Sequence, residues 1–407
     1  MQKVLIVLLL IAASLFAQTN DSFGIKFSGY VKTDVTYDTR QTVSVREGHL
    51  LLYPAAENPD QNGKDISDVA NFNMLAVQTR LKGTITAPDV LGAKTSGVIE
   101  AAFFGHSDSD VNGLRLRHAF LKLTWEHAIL LIGQYWHPMF VTECYPGTIS
   151  FNTGMPFQPF SRNPQIKYTH IIKNFFISAT ALTQRDFSNT GPNSTSSTYL
   201  RNSGLPILDL TVKFKSKVVV AGAGANYKTL RPLLHDQTTG GQKYVTDKKI
   251  SSFSTMAFVK VVIKDLALKA EGIYGENLTD LIMLGGYGVS KIGSNGFVTE
   301  YANIKTMSAW AEAVYGKALQ FGLFTGYTKN LGADKDIIGG MYYSRGSNIA
   351  SVIRVAPRAQ YSIGKTRSAV EIEYTSAAYG APNSKGVVKN TTSVANLRML
   401  FGFYLFF

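Results

Sequence analysis

The last thirteen residues constrain the fold of this chain more than any other segment. Every second residue from 395 to 407 is apolar: Ala395, Leu397, Met399, Phe401, Phe403, Leu405 and Phe407. The residues between them are more mixed and include Asn396 and Arg398. A period of two over this length predicts a β-strand with one apolar face. Because the alternation continues to the final residue, we expect this face to contact lipid rather than a protein core.

The first residues predict export from the cytoplasm. Lys3 is followed by an apolar stretch over 4–16, and Ala17 precedes Gln18, which predicts a signal peptide at 1–17. The apolar stretch is too short to span a membrane as a helix, and residues 18–407 contain no run that is long enough. Cys144 is the single cysteine, so a disulfide within the monomer is excluded. Export without a membrane helix favours an outer-membrane barrel.

Segments with the same alternation recur along the whole chain. They cover 25–37, 73–85, 94–104, 114–124, 128–136, 165–170, 175–182, 207–215, 218–227, 252–263, 266–274, 306–315, 319–328, 352–361, 368–376 and 393–407.

The connections between these segments are alternately short and long. Tight turns lie at 126–127, 216–217, 264–265 and 316–317, and long polar stretches cover 38–71, 184–205, 229–250, 275–305, 329–348 and 377–392. This pattern predicts an all-β fold, a transmembrane antiparallel β-barrel of about sixteen strands with short periplasmic turns and long extracellular loops, over 18–407. The alternative is a secreted β-sandwich or β-helix, in which connection lengths would not alternate.

Many charged side chains point into the predicted barrel by the parity of their strands. The basic residues are Arg80, Lys82, Arg115, Arg117, Lys167, Lys213, Arg354, Arg358 and Arg398, and the acidic residues are Glu100, Glu271, Glu312, Glu371 and Glu373. The chain carries a net charge of +13, and a basic excess in a pore favours anions. General solvation of a lumen would explain each residue taken singly. The segment 114–124 does not fit the pattern, because parity places His118 and Lys122 on the outer face. Shelter at a subunit interface and a misplaced register are the two explanations.

The segment 137–163 is unusually rich in proline and aromatic residues for an external loop. It contains Pro138, Pro146, Phe140, Phe151 and Phe157, among others. We expect it to fold inward and narrow the channel. The alternative is a loop that packs over the barrel mouth or against a neighbouring subunit.

The sequence offers little support for a metal site, a catalytic site or a nucleic-acid site. Asp108, Asp110 and Asn112 match the first half of a calcium loop, but Ala119 stands where the distal carboxylate belongs. A turn explains the same residues. No nucleophile and base stand at a recognisable spacing, and no basic run is interleaved with aromatic residues. We therefore expect no enzyme activity, no cofactor and no nucleic-acid partner.

Two short stretches resemble a known family. The residues Leu-Arg-Leu-Arg-His-Ala-Phe at 114–120 and Leu-Ile-Gly-Gln-Tyr-Trp at 131–136 resemble the DcaP-like trimeric porins of Gram-negative outer membranes, and 29–38 is similar to their first strand. The resemblance implies a sixteen-stranded barrel, a homotrimer and uptake of small anionic solutes such as dicarboxylates. It also implies that Arg115 and Arg117 turn into the channel. Some members carry a helical extension before the barrel, whereas only residues 18–23 precede the first strand here, so trimerisation would rest on the barrel wall.

The sequence therefore predicts a porin of the outer membrane for passive diffusion of small hydrophilic, preferentially anionic solutes. Its expected partners are outer-membrane lipid, lipopolysaccharide and, through Phe407, the barrel-assembly machinery. A non-conducting structural or adhesin barrel and an outer-membrane barrel hydrolase are the alternatives. The first would have fewer strands and a filled lumen.

Overall fold

The computed structural model describes residues 23–105 and 107–407 and shows a closed antiparallel β-barrel of sixteen strands. The first eight are β1 (Gly24–Asp38), β2 (Asn71–Leu75 and Arg80–Val90), β3 (Ala93–Ala102), β4 (Arg115–Thr124), β5 (Ala128–Trp136), β6 (Arg162–Ile172), β7 (Phe175–Leu182) and β8 (Ile207–Lys215). The others are β9 (Val219–Leu230), β10 (Ile250–Ile263), β11 (Leu266–Glu276), β12 (Val298–Gly316), β13 (Leu319–Gly332), β14 (Ile349–Ile363), β15 (Thr366–Pro382) and β16 (Val388–Phe406). The predicted fold is confirmed, and the predicted signal peptide lies outside the described residues.

The barrel closes between its first and last strands. β16 pairs with β1 in an antiparallel register from Tyr30 opposite Phe406 to Asp38 opposite Arg398. Closure pairs the backbone groups of both edges, which lipid would leave unsatisfied. The apolar residues of β16 face outward as predicted: Phe403 is 51% exposed, whereas Arg398, of the opposite parity, is 1% exposed.

Several strands continue further than the alternation predicts. The segment 377–392, predicted as a loop, is largely strand, because β15 runs to Pro382 and β16 starts at Val388. Within the predicted loop 275–305, the strand Gly285–Ile292 pairs with the start of β12 and with Tyr342–Arg345. These extensions lack the apolar outer face that marks the membrane-facing wall. Among the described residues, no helix is both long enough and apolar enough to cross a membrane. The short helix α1 spans Thr198–Ser203.

Two of the long connections fold back into the barrel. One, which we call the inner loop, comprises residues 137–161 between β5 and β6. The other, the inner hairpin, pairs Thr42–Val45 with Leu50–Pro54. Leu50, Leu51 and Leu52 are fully buried, so this part of 38–71 is not the solvated external loop that its polar surroundings predict.

A β-bulge in β4 reverses the predicted direction of two side chains. Glu100 on β3 pairs with His118, and the next residue Ala101 pairs with Leu116, so Arg117 is inserted between them. The inserted residue shifts the parity of the rest of the strand. His118 is therefore buried inside, with its ring 5.5 Å from that of Trp136, and Lys122 also faces inward. Strict parity, which placed both on the outer face, is wrong here, and of the two explanations considered for them a misplaced register is the correct one.

Candidate functional site: the barrel interior

Carboxylates on the barrel wall attach the inner loop by accepting hydrogen bonds from its backbone N–H groups. The N–H groups of Ile149 and Ser150 donate to Glu371 on β15 at 2.8 and 3.0 Å. Gly147 N donates to Glu312 on β12 at 2.7 Å. These loop donors lie across the lumen from the strand that leads into the loop. The inner loop therefore crosses the barrel interior.

Three further polar side chains extend this attachment. The amide of Asn152 donates to Glu373 at 2.8 Å. Arg354 on β14 donates through Nη1 to Met155 O at 2.6 Å, and Lys32 on β1 donates to Ile149 O at 2.8 Å. Buried charged hydrogen bonds of this kind are stronger than neutral ones.

The inner hairpin is fixed by some of the same residues. Arg354 also donates through Nη2 to Leu52 O at 2.9 Å, and the hydroxyl of Tyr379 donates to Pro54 O at 2.6 Å. Arg398 binds both carboxylate oxygens of Asp38 on β1, at 2.9 and 2.7 Å. Arg354 and Arg398 face the interior, but the folded connections cover them almost completely.

The remaining charges on this wall are also paired or covered. Arg358 and Lys269 both reach Glu312, each at 2.7 Å. Glu271 on β11 is buried beside Trp310 and Gln158 of the inner loop. Apart from Glu271, whose carboxyl oxygens have no hydrogen-bond partner among the described residues, the charges of this half of the interior are paired and hold the loops in place.

The opposite wall carries a cluster of arginines around two carboxylates. Glu100 accepts from Arg117 at 2.7 Å and lies 3.4 Å from Arg80. Lys82 lies opposite Glu100 in the register of β2 and β3 and is half-buried.

Asp186, which follows β7, is shared by two further arginines. It accepts from Arg162 at 2.7 Å and pairs with Arg115. Arg115 and Arg117 therefore point inward as ion-paired groups. Arg162 and Asp186 had no signal in the sequence, because both lie outside the alternating segments.

A cavity of about 350 Å³ remains between the inner loop and the inner wall of β4 to β8. Its basic residues are Lys122, Lys167, Lys213 and Lys215, and its acidic residue is Glu143 on the inner loop. Lys213 and Glu143 form an ion pair at 2.5 Å. Burial of Glu143 opposes its ionisation, but the neighbouring Lys213 ammonium outweighs this effect and holds the pKa of the carboxyl below its usual value. The cavity therefore keeps a clear excess of positive charge.

The sequence predicted only part of this lining. Lys167 and Lys213 are placed here by their strand parity, whereas Lys122 enters through the bulge in β4. Lys215 is the last residue of β8 and has the same parity as Lys213, but it was not among the predicted inward charges although it ends the predicted segment 207–215.

A comparison with protein families shows which family this chain belongs to. The model of the family described as DcaP outer membrane protein matches residues 16–220, about half of the chain. The chain belongs to the DcaP outer membrane protein family. It is accordingly a protein of the outer membrane.

Solved structures share the fold of this DcaP-family barrel. The outer membrane channel DcaP of Acinetobacter baumannii has a TM-score of 0.67 at 16% identity, covering 96% of this chain and 99% of that chain. OmpT of Vibrio cholerae has a TM-score of 0.55 at 13% identity, with coverages of 96% and 99%. Salmonella typhi OmpF in complex with daunomycin has a TM-score of 0.51 at 12% identity, with coverages of 96% and 99%. The architecture is therefore that of outer-membrane porins. No curated protein matches the chain significantly.

The calcium candidate of this DcaP-family barrel lies in the connection between β3 and β4. Asp108 accepts from the backbone N–H of Arg46 at 2.6 Å and begins a single 3₁₀ turn with Asp110. Nowhere in 23–105 or 107–407 do three or more His, Cys, Asp or Glu side chains group as metal ligands. We do not assign a metal ion to Asp108, Asp110 and Asn112.

Proposed function

We propose that this DcaP-family barrel is a porin through which small hydrophilic anions diffuse passively. The observation that carries the proposal is the cavity beside the inner loop, with its four lysines and one ion-paired carboxylate. A low-dielectric wall strengthens the field of such charges, so anions are concentrated along it and cations are repelled.

The distribution of charge in the rest of the interior supports the same preference. On the wall formed by β12 to β16, carboxylates are matched by arginines, lysines or loop N–H groups. That wall contributes little net field. The excess charge lies on β4 to β8, next to the open space. Dicarboxylates are our proposed solutes, because two lysines of the cavity such as Lys122 and Lys167 can bind two carboxylates.

We assign the size limit of the channel to the inner loop. Phe140 of the inner loop stacks on Trp136, the last residue of β5, at 3.8 Å between ring centroids, and both line the cavity. Because its backbone is hydrogen-bonded to side chains of several strands, the inner loop forms a fixed wall of the channel. Passive diffusion requires no bond to be made or broken, so catalysis has no part in the proposal. Sixteen strands also favour a porin over a structural barrel, which usually has fewer strands and a filled lumen.

A homotrimer in the outer membrane is part of the proposal. A trimer form is known for OmpT of Vibrio cholerae, which shares the fold at 12% identity. The outer wall would contact lipid and neighbouring subunits. We further propose that the signal peptide at 1–17 directs export and that Phe407 is recognised by the barrel-assembly machinery.

Solute flux into liposomes tests the proposal. Proteoliposomes with the wild-type protein are expected to admit succinate faster than a neutral sugar of similar size. Combining Lys167→Gln with Lys213→Gln should reduce the succinate rate severalfold and leave the sugar rate nearly unchanged. Lys64→Gln, in an exposed loop, is the matched control. Equal effects of both variants, or equal wild-type rates for the two solutes, would refute the anion preference.

A further inference from the structure

The inner loop places one carboxylate among the lysines of the cavity. Of the described residues that line the cavity, Glu143 is the only acidic one, whereas four are lysines. Glu143 Oε1 lies 2.5 Å from Lys213 Nζ on β8, and Glu143 Oε2 accepts from the hydroxyl of Thr142 at 3.2 Å. A carboxylate of the protein thus occupies an ammonium group of the kind that a solute carboxylate would bind.

This ion pair differs from the pairs on the opposite wall in its contact with solvent. The side chains of Lys213 and Glu143 are 20% and 29% exposed. Those of Arg358 and Glu312 on the opposite wall are 4% and 0% exposed. Partly exposed ion pairs contribute little to stability, because water competes for both charged groups. A solute that enters the cavity can therefore reach both partners of the Lys213–Glu143 pair.

The backbone of the inner loop next to Glu143 is held by other contacts. The following residue, Cys144, is fully buried. Its N–H group donates to Val141 O at 2.9 Å, and its thiol donates to Val259 O on β10 at 3.3 Å. The Glu143 side chain can therefore leave Lys213 while the backbone of the loop stays in place.

Lys213 has no second carboxylate that could replace Glu143. Within residues 23–105 and 107–407, the hydrogen-bond acceptor of Lys213 Nζ is Glu143 alone, and the Phe176 ring centroid lies 5.2 Å away. The other acidic side chain of β8, Asp209, is buried outside the cavity lining and accepts from Thr211 Oγ1 at 2.9 Å. When Glu143 moves away, water or a solute carboxylate takes its place.

We propose that Glu143 is an internal competitor of the solute, which occupies the ammonium group of Lys213 between passages and gives it up to a solute carboxylate during passage. This inference rests on the proposed anion-porin function and assigns the residue that limits how tightly the solute is bound. The exchange replaces one ion pair by another, so Lys213 is not left as an unpaired charge at any step.

Competition of this kind speeds the release of the solute. A channel conducts well only if a solute binds strongly enough to enter and weakly enough to leave. Four lysines without any carboxylate of the protein would hold a dianion longer and slow its release. Glu143 lowers the affinity by binding Lys213 again, and the solute then leaves faster.

The concentration dependence of succinate uptake into proteoliposomes tests this role. Glu143→Gln keeps the shape of the side chain and removes its charge. We expect the half-saturating succinate concentration to fall about threefold or more, because one competing ion pair is lost. The maximal rate should fall as well, because release is slower. Glu126→Gln, in the exposed turn between β4 and β5, is the matched control and should leave both values unchanged.

Uptake of a neutral sugar separates this role from a structural one. If Glu143 served only to hold the inner loop, Glu143→Gln would raise the sugar rate, whereas a competitor leaves it unchanged. A raised sugar rate, an unchanged half-saturating concentration, or wild-type succinate uptake that stays proportional to concentration would overturn the inference in a channel that prefers anions. A wild-type channel without anion preference would instead refute the proposed function, and this inference with it.

Discussion

At the residue scale, the joint between the first and last strands depends on Gly29. Its N–H and C=O groups pair with Phe407 across the seam, with both distances 3.1 Å. A Cβ at Gly29 would lie 2.1 Å from Arg80 O and 2.7 Å from the Phe407 ring. Glycine is therefore required here for close approach rather than for an unusual backbone angle.

Replacing Gly29 with alanine should weaken barrel closure. We expect a loss of about 1–3 kcal/mol of stability, the usual cost of overpacking, because the contact is with backbone that cannot move aside. Semi-native gels with and without heating measure this as a lower temperature of conversion to the unfolded band. Gly272→Ala on β11 is the control, because its added methyl group would meet nothing within 4 Å. An unchanged conversion temperature for Gly29→Ala would contradict this account of the joint.

Deleting Phe407 should impair assembly more than conduction. The residue contributes the terminal pairing with Gly29 and an outward ring, and it does not face the lumen. We expect a several-fold lower amount of folded protein in isolated outer membranes, with normal single-channel conductance in the channels that form. A wild-type amount of folded protein would show that Phe407 is dispensable for assembly.

At the scale of the element, the inner loop owes its position to buried carboxylates on distant strands. Glu371 alone accepts two of its backbone N–H groups. Hydrogen bonds to charged groups contribute about 1.5–3 kcal/mol each, so this one side chain is a major anchor of the loop.

Replacing Glu371 with alanine should loosen the inner loop. We expect a larger and noisier single-channel conductance in planar bilayers, because the loop N–H groups lose their acceptor and the loop samples other positions. Glu126→Ala, in the exposed turn between β4 and β5, is the matched control. If Glu371→Ala conducts as the wild type does, the loop is held by its other contacts.

Individual elements show which parts of the fold could be predicted from the sequence alone. Strands facing lipid on one side and water on the other alternate, so β1 was predicted to within one residue at each end, whereas β16 starts five residues before its predicted start. The inner hairpin was not, because Leu50 to Leu52 form a short apolar run without periodicity inside a polar stretch. The insertion of Arg117 left a signal, since His118 and Lys122 did not fit the pattern, but its position could not be predicted because a bulge is defined by its partner strand. Parity could predict which charges point inward, but not which of them the loops cover.

At the scale of the whole molecule, the two walls of the barrel interior differ in their balance of charge. One wall joins acidic and basic side chains into a network that binds the inner loop and the inner hairpin. The other keeps a basic excess beside the remaining space. This asymmetry, more than the net charge of +13, is what the anion preference rests on.

The reversal potential of the wild-type protein in a planar bilayer with a KCl gradient tests this central claim most directly. The account predicts discrete channel openings and a reversal potential displaced toward the equilibrium potential of chloride. The displacement should shrink when Lys167 and Lys213 are replaced by glutamine. A displacement toward the potassium equilibrium potential, or a folded protein that never opens a channel, would contradict the account.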